Sequence, residues 1–150
     1  MEVRKLEMAD SPVVRRRAGE LAALMYPELI EDVDRTHTLL AELRQNSAHY
    51  AYVIGPHGHP RAALLASTGD NVWATRRHAT ILLWYSDIPG AGAVLMRNFR
   101  HWVLQHKQIA VAGLIADCMI NVRALDLMER LGFQRRGRGA WVLFPRGAKR

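Results

Sequence analysis

The sequence holds a single cysteine, Cys118. No disulfide can form within the chain, and a reducing, cytoplasmic setting fits. No apolar run approaches the roughly 20 residues that a bilayer-crossing helix needs. The first residues, Met1-Glu2-Val3-Arg4-Lys5, carry no apolar leader stretch, so export is not expected. Acidic residues are the minority, 14 against 21 Lys and Arg, for a net charge of +7. That balance favours anionic partners. No metal site is expected, because His57 and His59 flank Gly58 without a Cys or acidic cluster beside them. The nucleotide-binding pattern Gly-x-x-x-x-Gly-Lys-Ser/Thr is absent, and no local Ser-His-Asp motif is recognisable.

What is there suits one soluble domain. The length of 150 residues allows one real core but not two, and 49% of residues are apolar. The expected domain covers residues 1–146, with 147–150 as a disordered basic tail. No internal repeat or linker divides it. Val3–Leu6 reads as a strand. Ser11-Pro12 opens a helix, with Ser as cap and Pro tolerated in the first turn. Val14, Ala18, Leu21, Ala22 and Met25 form its apolar face, and Pro27 ends it. Asp32 or Asp34 starts a second helix to about Arg44, with Val33, His37, Leu40 and Leu43 inward.

Strands follow at His49–Ile54 and Arg61–Ser67, joined as a hairpin by the turn chemistry of residues 55–60. Gly69-Asp70-Asn71 reads as a further turn. Ala79–Tyr85 is the most apolar strand and is placed at the centre. A helix over Ala91–His106 turns Leu95, Phe99, Trp102, Val103 and His106 inward. A strand at Ile109–Leu114, a helix at Asn121–Leu131 and strands at Phe133–Arg136 and Trp141–Phe144 complete the chain. Helical or strand spacing assigns Trp73, Trp84, Trp102 and Trp141 to packing rather than base stacking. The order predicts an α/β fold with layers around a mixed sheet of about seven strands, flanked by about four helices and antiparallel in its first half.

Two segments carry more than fold. Residues 80–96 read as an apolar strand, a turn of small residues (Pro89-Gly90-Ala91-Gly92-Ala93), then a helix. Open amides at a helix start, with the dipole behind them, make an anion site, and glycine lets a phosphate approach the backbone closely. Residues 121–133 read as a helix stopped by Gly132 and feeding a strand. In order and spacing, the pair resembles the cofactor-binding segments of the GNAT acetyltransferase superfamily, and the order of elements resembles the GNAT fold over nearly the whole chain. Gly90 and Gly92 match the two small positions of the family's Gln/Arg-x-x-Gly-x-Gly/Ala turn, and Leu95 and Met96 match the apolar pair after it. Asn121, Ala124, Leu127 and Leu131-Gly132-Phe133 match its Asn-x-x-Ala-x-x-Leu…Gly-Phe helix.

The resemblance implies acetyl-coenzyme A as cosubstrate. Its pyrophosphate would lie on Gly90, Ala91, Gly92 and Ala93. Its pantetheine arm would insert where the central strand splays from Ile109–Leu114, bonding backbone near Leu82, Leu83 and Trp84 and passing Asn121, Ala124 and Met128. The implied reaction moves an acetyl group to a primary amine. Two departures stand out. Asp87 occupies the Gln/Arg position, where a carboxylate repels pyrophosphate unless it turns away or caps the helix. Met128 occupies the place of a Tyr that can protonate the departing thiolate, and a thioether donates no proton. The early acid that some relatives place on the central strand falls on Arg76. His78, as base, and Tyr85, as acid, are the catalytic candidates. Tyr26, Glu28, Glu31 and Asp32 could draw in a cationic amine.

Two readings compete with the enzyme. One is a GNAT-like domain without catalysis, serving as a binding or structural part, for instance in a phage particle; some phage virion proteins resemble this helix–Gly–strand segment. Its setting would be the virion or the host cytoplasm. The other is nucleic-acid binding, which needs the arginine clusters to form one face and is not favoured. A homodimer is compatible with either, and no membrane partner is expected.

Overall fold

A computed structural model describes residues 1–28, 30–70, 77–115, 122–136 and 140–147. Its seven strands are β1 (Val3–Lys5), β2 (Tyr50–Ile54), β3 (Ala62–Asp70), β4 (Arg77–Ser86), β5 (Ile109–Ile115), β6 (Gln134–Arg136) and β7 (Ala140–Leu143). They form one sheet in the order β1-β2-β3-β4-β5-β7-β6. The apolar strand β4 is therefore central, as expected. Every pairing is antiparallel except β4 with β5. That parallel pair requires a crossover, supplied by helix α3 (Ala91–Gln105).

Helices α1 (Ser11–Met25) and α2 (Val33–Gln45) cover one face of the sheet, where Val14, Leu40 and Leu43 meet Ala63, Leu65, Leu83 and Tyr85. Helices α3 and α4 (Val122–Arg130) cover the other. Leu95, Met96, Phe99, Leu127 and Met128 meet Leu64, Ala66, Ala79 and Ile81 there. Partly buried Trp84, Trp102 and Trp141 pack against this second core; Trp73 lies outside the described residues.

Several expectations change. Ser11 is the first helical residue rather than the cap, because α1 continues directly from a 3-10 turn at Met8–Asp10. Asp32, not Asp34, caps α2 by accepting from the Arg35 amide at 3.0 Å. Ala22, Val33 and His37 are exposed, whereas Val14, Ala18, Leu21, Leu40 and Leu43 meet the core as expected. β3 runs through the expected turn to Asp70, where Asp70 and Arg77 pair across the strands at 3.5 Å. Phe133 precedes β6 rather than opening it, buried beside the α4 terminus. Of the expected tail, Gly147 closes a turn onto the Phe144 carbonyl at 3.1 Å, and residues 148–150 lie outside the described residues.

The N-terminal strand is fastened by a buried carboxylate. Asp10 is fully buried and accepts both arms of the Arg4 guanidinium, at 2.7 and 2.9 Å, plus the Glu7 and Gly58 amides at 2.9 Å each. Arg4 also donates to the carbonyls of Gly55 and Pro56 at 2.9 Å each. One ion pair thus joins β1, the 3-10 turn and the hairpin at residues 55–60.

Candidate active site

The site begins with an irregularity in β4. Leu65 pairs with Leu83, but Ala66 pairs with Ile81, so Leu82 is an extra residue with no partner on β3. A bulge of this kind changes which face the following side chains occupy. Ala79 and Ile81 belong to the α3/α4 core, whereas Leu83 and Tyr85 belong to the α1/α2 core. In a regular strand Ile81 and Leu83 would share a face.

At the same level β4 and β5 part. Their pairing ends at Thr80 with Gly113, while β5 runs on to Ile115 paired with β7 on its other edge. Gly113 sits tightly against β7: a Cβ there would stand 2.1 Å from the Trp141 carbonyl oxygen. Among the described residues, β4 from Ile81 to Ser86 keeps β3 on one edge and has no strand partner on the other. Strand backbone offers its N–H and C=O groups alternately to the two edges, so half of this stretch is open to another extended chain.

That open edge leads into the turn of small residues. Gly90 adopts a left-handed conformation (φ 82°) as N-cap of α3, with no side chain capping the helix. Val94 closes the first helical bond onto the Gly90 carbonyl at 3.1 Å, leaving the Gly92 and Ala93 amides without helical acceptors. Asp87 points elsewhere: its carboxylate meets the Arg17 guanidinium at 2.9 Å. Gly92 has a packing role as well. The Trp84 indole donates to its carbonyl at 3.0 Å, and a Cβ at Gly92 would lie 3.3 Å from that indole nitrogen.

α4 closes the far side. Its C-terminus ends as the Gly132 position implies: the Phe133 amide donates to the Met128 carbonyl and the Gly132 amide to that of Glu129, each at 3.0 Å, with Gly132 at φ 92°. Arg100 of α3 donates to the Leu131 carbonyl at 2.7 Å, fixing α4 on α3. Ala124 is half-buried and Met128 is fully buried in the core; Asn121 lies outside the described residues.

The fold as a whole is shared with solved proteins. A possible acetyltransferase from Clostridium difficile 630 is 16% identical, with 92% of this chain and 93% of that one covered and a TM-score of 0.69. Arabidopsis thaliana NAA60, solved in complex with acetyl-CoA, is 11% identical over 97% and 99%, at a TM-score of 0.71. An acetyltransferase of the GNAT family from Streptococcus pneumoniae is 12% identical over 94% and 95%, at 0.60. The fold is the GNAT fold. No family model matches the sequence, and no curated protein sequence matches it.

On this GNAT frame the two catalytic candidates share a face but not a location. His78 pairs with Gly69, two positions along from the Ser67–Thr80 pair, which places it on the α1/α2 face with Tyr85. The bulge puts them there together. Strand rise keeps them about 20 Å apart. The His78 Nδ1 is buried without a hydrogen-bond partner among the described residues. Tyr85 is buried, and its hydroxyl likewise has no partner. Burial, with the nearby Asp87 carboxylate, pushes the Tyr85 pKa up to about 12. The Arg17 guanidinium lies 4.9 Å over its ring.

Of the four acceptor candidates, Glu31 pairs with Arg15 at 3.1 Å and Asp32 caps α2. Tyr26 and Glu28 are exposed. Residues that the sequence did not single out are Gly113 and Arg17. Gly113 resembles any strand glycine until β7 is seen against it. Arg17 resembled one cation in a solvated run.

Proposed function

We propose that this protein is an acyltransferase that moves an acetyl group from acetyl-coenzyme A to a primary amine. The observation that carries the reading is one continuous surface: the open β4 edge from Ile81 to Ser86 running into the free Gly92 and Ala93 amides. A pantetheine arm has amides spaced along an extended chain, so it can lie on that edge as a further strand. A pyrophosphate suits the helix start.

In the reaction, the amine nitrogen attacks the thioester carbon, a C–N bond forms and the C–S bond breaks. The thiolate leaves and takes a proton. Open backbone N–H groups beside the Leu82 bulge would polarise the thioester carbonyl. His78 is the candidate base for the amine, acting through solvent. Tyr26 and Glu28 are the candidate attractors of a cationic acceptor.

A second reading has its own support. Met128 is fully buried and Tyr85 packs in the α1/α2 core, so neither is placed to protonate the thiolate. A GNAT-fold domain that binds coenzyme A without turning it over fits that observation. Calorimetric titration with acetyl-coenzyme A and its 3′-dephospho and desulfo analogues tests both. Micromolar binding followed by thiol release with an amine panel supports the enzyme. Binding without release supports the second reading. Absence of heat and of a thermal shift at millimolar ligand sinks both.

A further inference from the structure

The glycine turn lacks the Gln or Arg that the resembled family has at its first position and carries Asp87 instead. A carboxylate three residues before the turn's first glycine opposes any phosphate bound there. The fold brings an answer from 70 residues away. Arg17 of α1 reaches the β4 end and holds Asp87 Oδ1 at 2.9 Å through one terminal nitrogen, and Glu20 Oε2 at 2.9 Å through the other. Among the described residues its Nε has no partner, and its Cζ lies 4.9 Å over the Tyr85 ring. The guanidinium is therefore held at three points of contact, at both ends and below, rather than waving in solvent. Tyr85, a poor proton donor where it sits, makes sense as the platform under it. Asp87 is fixed as well, since its amide donates to the Arg61 carbonyl at 2.7 Å.

We infer that Arg17 is a positioning residue for anion binding at the glycine turn: it holds the Asp87 carboxylate away from the Gly92 and Ala93 amides and, shared with Glu20, offsets part of its charge. The ligand class is a pyrophosphate-bearing molecule, and the inference rests on the proposal that coenzyme A is that molecule. The turn's charge is thus set by α1, an element on the opposite side of the sheet from α3. Affinity for a diphosphate becomes conditional on the docking of α1.

The test is a set of titrations with acetyl-coenzyme A and, separately, inorganic pyrophosphate. The proteins are wild type, Arg17→Gln, Asp87→Asn and the double variant, each with a thermal melt. Arg17→Gln is expected to weaken both ligands by about tenfold, the effect of one unneutralised charge at short range. Adding Asp87→Asn should restore binding to within about threefold of wild type. A simple loss of packing would not be rescued in this way. Asp87→Asn alone should bind as tightly as wild type or tighter. The inference is overturned if Arg17→Gln binds normally, or if the double variant stays as weak as the single. Should Arg17→Gln fail to fold, weaker binding by Asp87→Asn alone overturns it, and tighter binding supports it. Pyrophosphate binding with this pattern but no acetyl-coenzyme A binding sinks the acyltransferase proposal and leaves the inference standing. Binding of neither by wild type sinks both.

Discussion

At the scale of single residues, buried polar groups decide most. Burial alone would raise the Asp10 pKa, but the Arg4 guanidinium and the Glu7 and Gly58 amides outweigh it and hold the carboxyl below its ordinary value. A depressed folded pKa means stability that is present above the unfolded value, near 3.9, and lost as pH falls through the folded one. Acid should therefore loosen β1 and the 55–60 hairpin. Asp10→Asn should cost about 3 kcal/mol at neutral pH and flatten the acid limb of the stability curve; denaturant melts between pH 7 and 3 check both. Tyr85 gives the opposite case. Its buried hydroxyl satisfies nothing, so Tyr85→Phe should leave stability unchanged or raise it by up to about 1 kcal/mol. If thiol release by that variant stays at the wild-type rate, Tyr85 is a platform; a fall of tenfold or more makes it the acid.

At the scale of elements, the bulge in β4 and the close approach of β7 to β5 are the features to test. Deleting Leu82 would restore regular alternation in β4, leaving Ile81 and Leu83 adjacent on opposite faces and each in its present core. The deletion is therefore expected to keep a sigmoidal denaturant transition while removing the irregularity beside the open edge, read as weaker acetyl-coenzyme A binding by titration. Gly113→Ala pushes a methyl into the Trp141 carbonyl and should cost about 2 kcal/mol, because backbone must move. Helix ends are more forgiving. Gly90→Ala should cost about 1–2 kcal/mol for its left-handed backbone, measurable as a lower melting temperature.

At the scale of the whole molecule, charge is divided. Residues 1–90 hold ten Lys and Arg against eleven acids, while residues 91–150 hold eleven against three. The second group includes α3 and α4, the helices on one side of the sheet. Some of these cations serve structure: Arg100 caps α4, Arg146 donates to the Leu104 carbonyl at 3.3 Å, and Arg136 lies 5.3 Å over Phe144. Their field still favours an anion on the α3/α4 side. Acetyl-coenzyme A affinity should therefore fall as salt rises from 50 to 500 mM, whereas stability without ligand should change little. Saturation at 100 times Kd should stabilise the fold by about 2.7 kcal/mol.

Much of this was legible in the sequence, since periodicity, caps and turns are local. The order of elements, the central place of β4, the Gly132 stop and the small-residue turn all follow from neighbours along the chain. So does the oddity of Asp87, since a resemblance is read position by position. The misjudged faces of α1 and α2 had the right spacing; spacing says which residues share a face, not whether anything covers it. The bulge left no mark in the sequence, because Ile81-Leu82-Leu83 is equally apolar whichever way it alternates. Gly113 and Arg17 act through partners 28 and 70 positions away, Trp141 and Asp87. The sequence determined that a turn of small residues opens a helix and that Asp87 stands just before it. Tertiary structure decided that Arg17 of another helix pairs with that carboxylate, because contact between distant segments forms only when the sheet assembles.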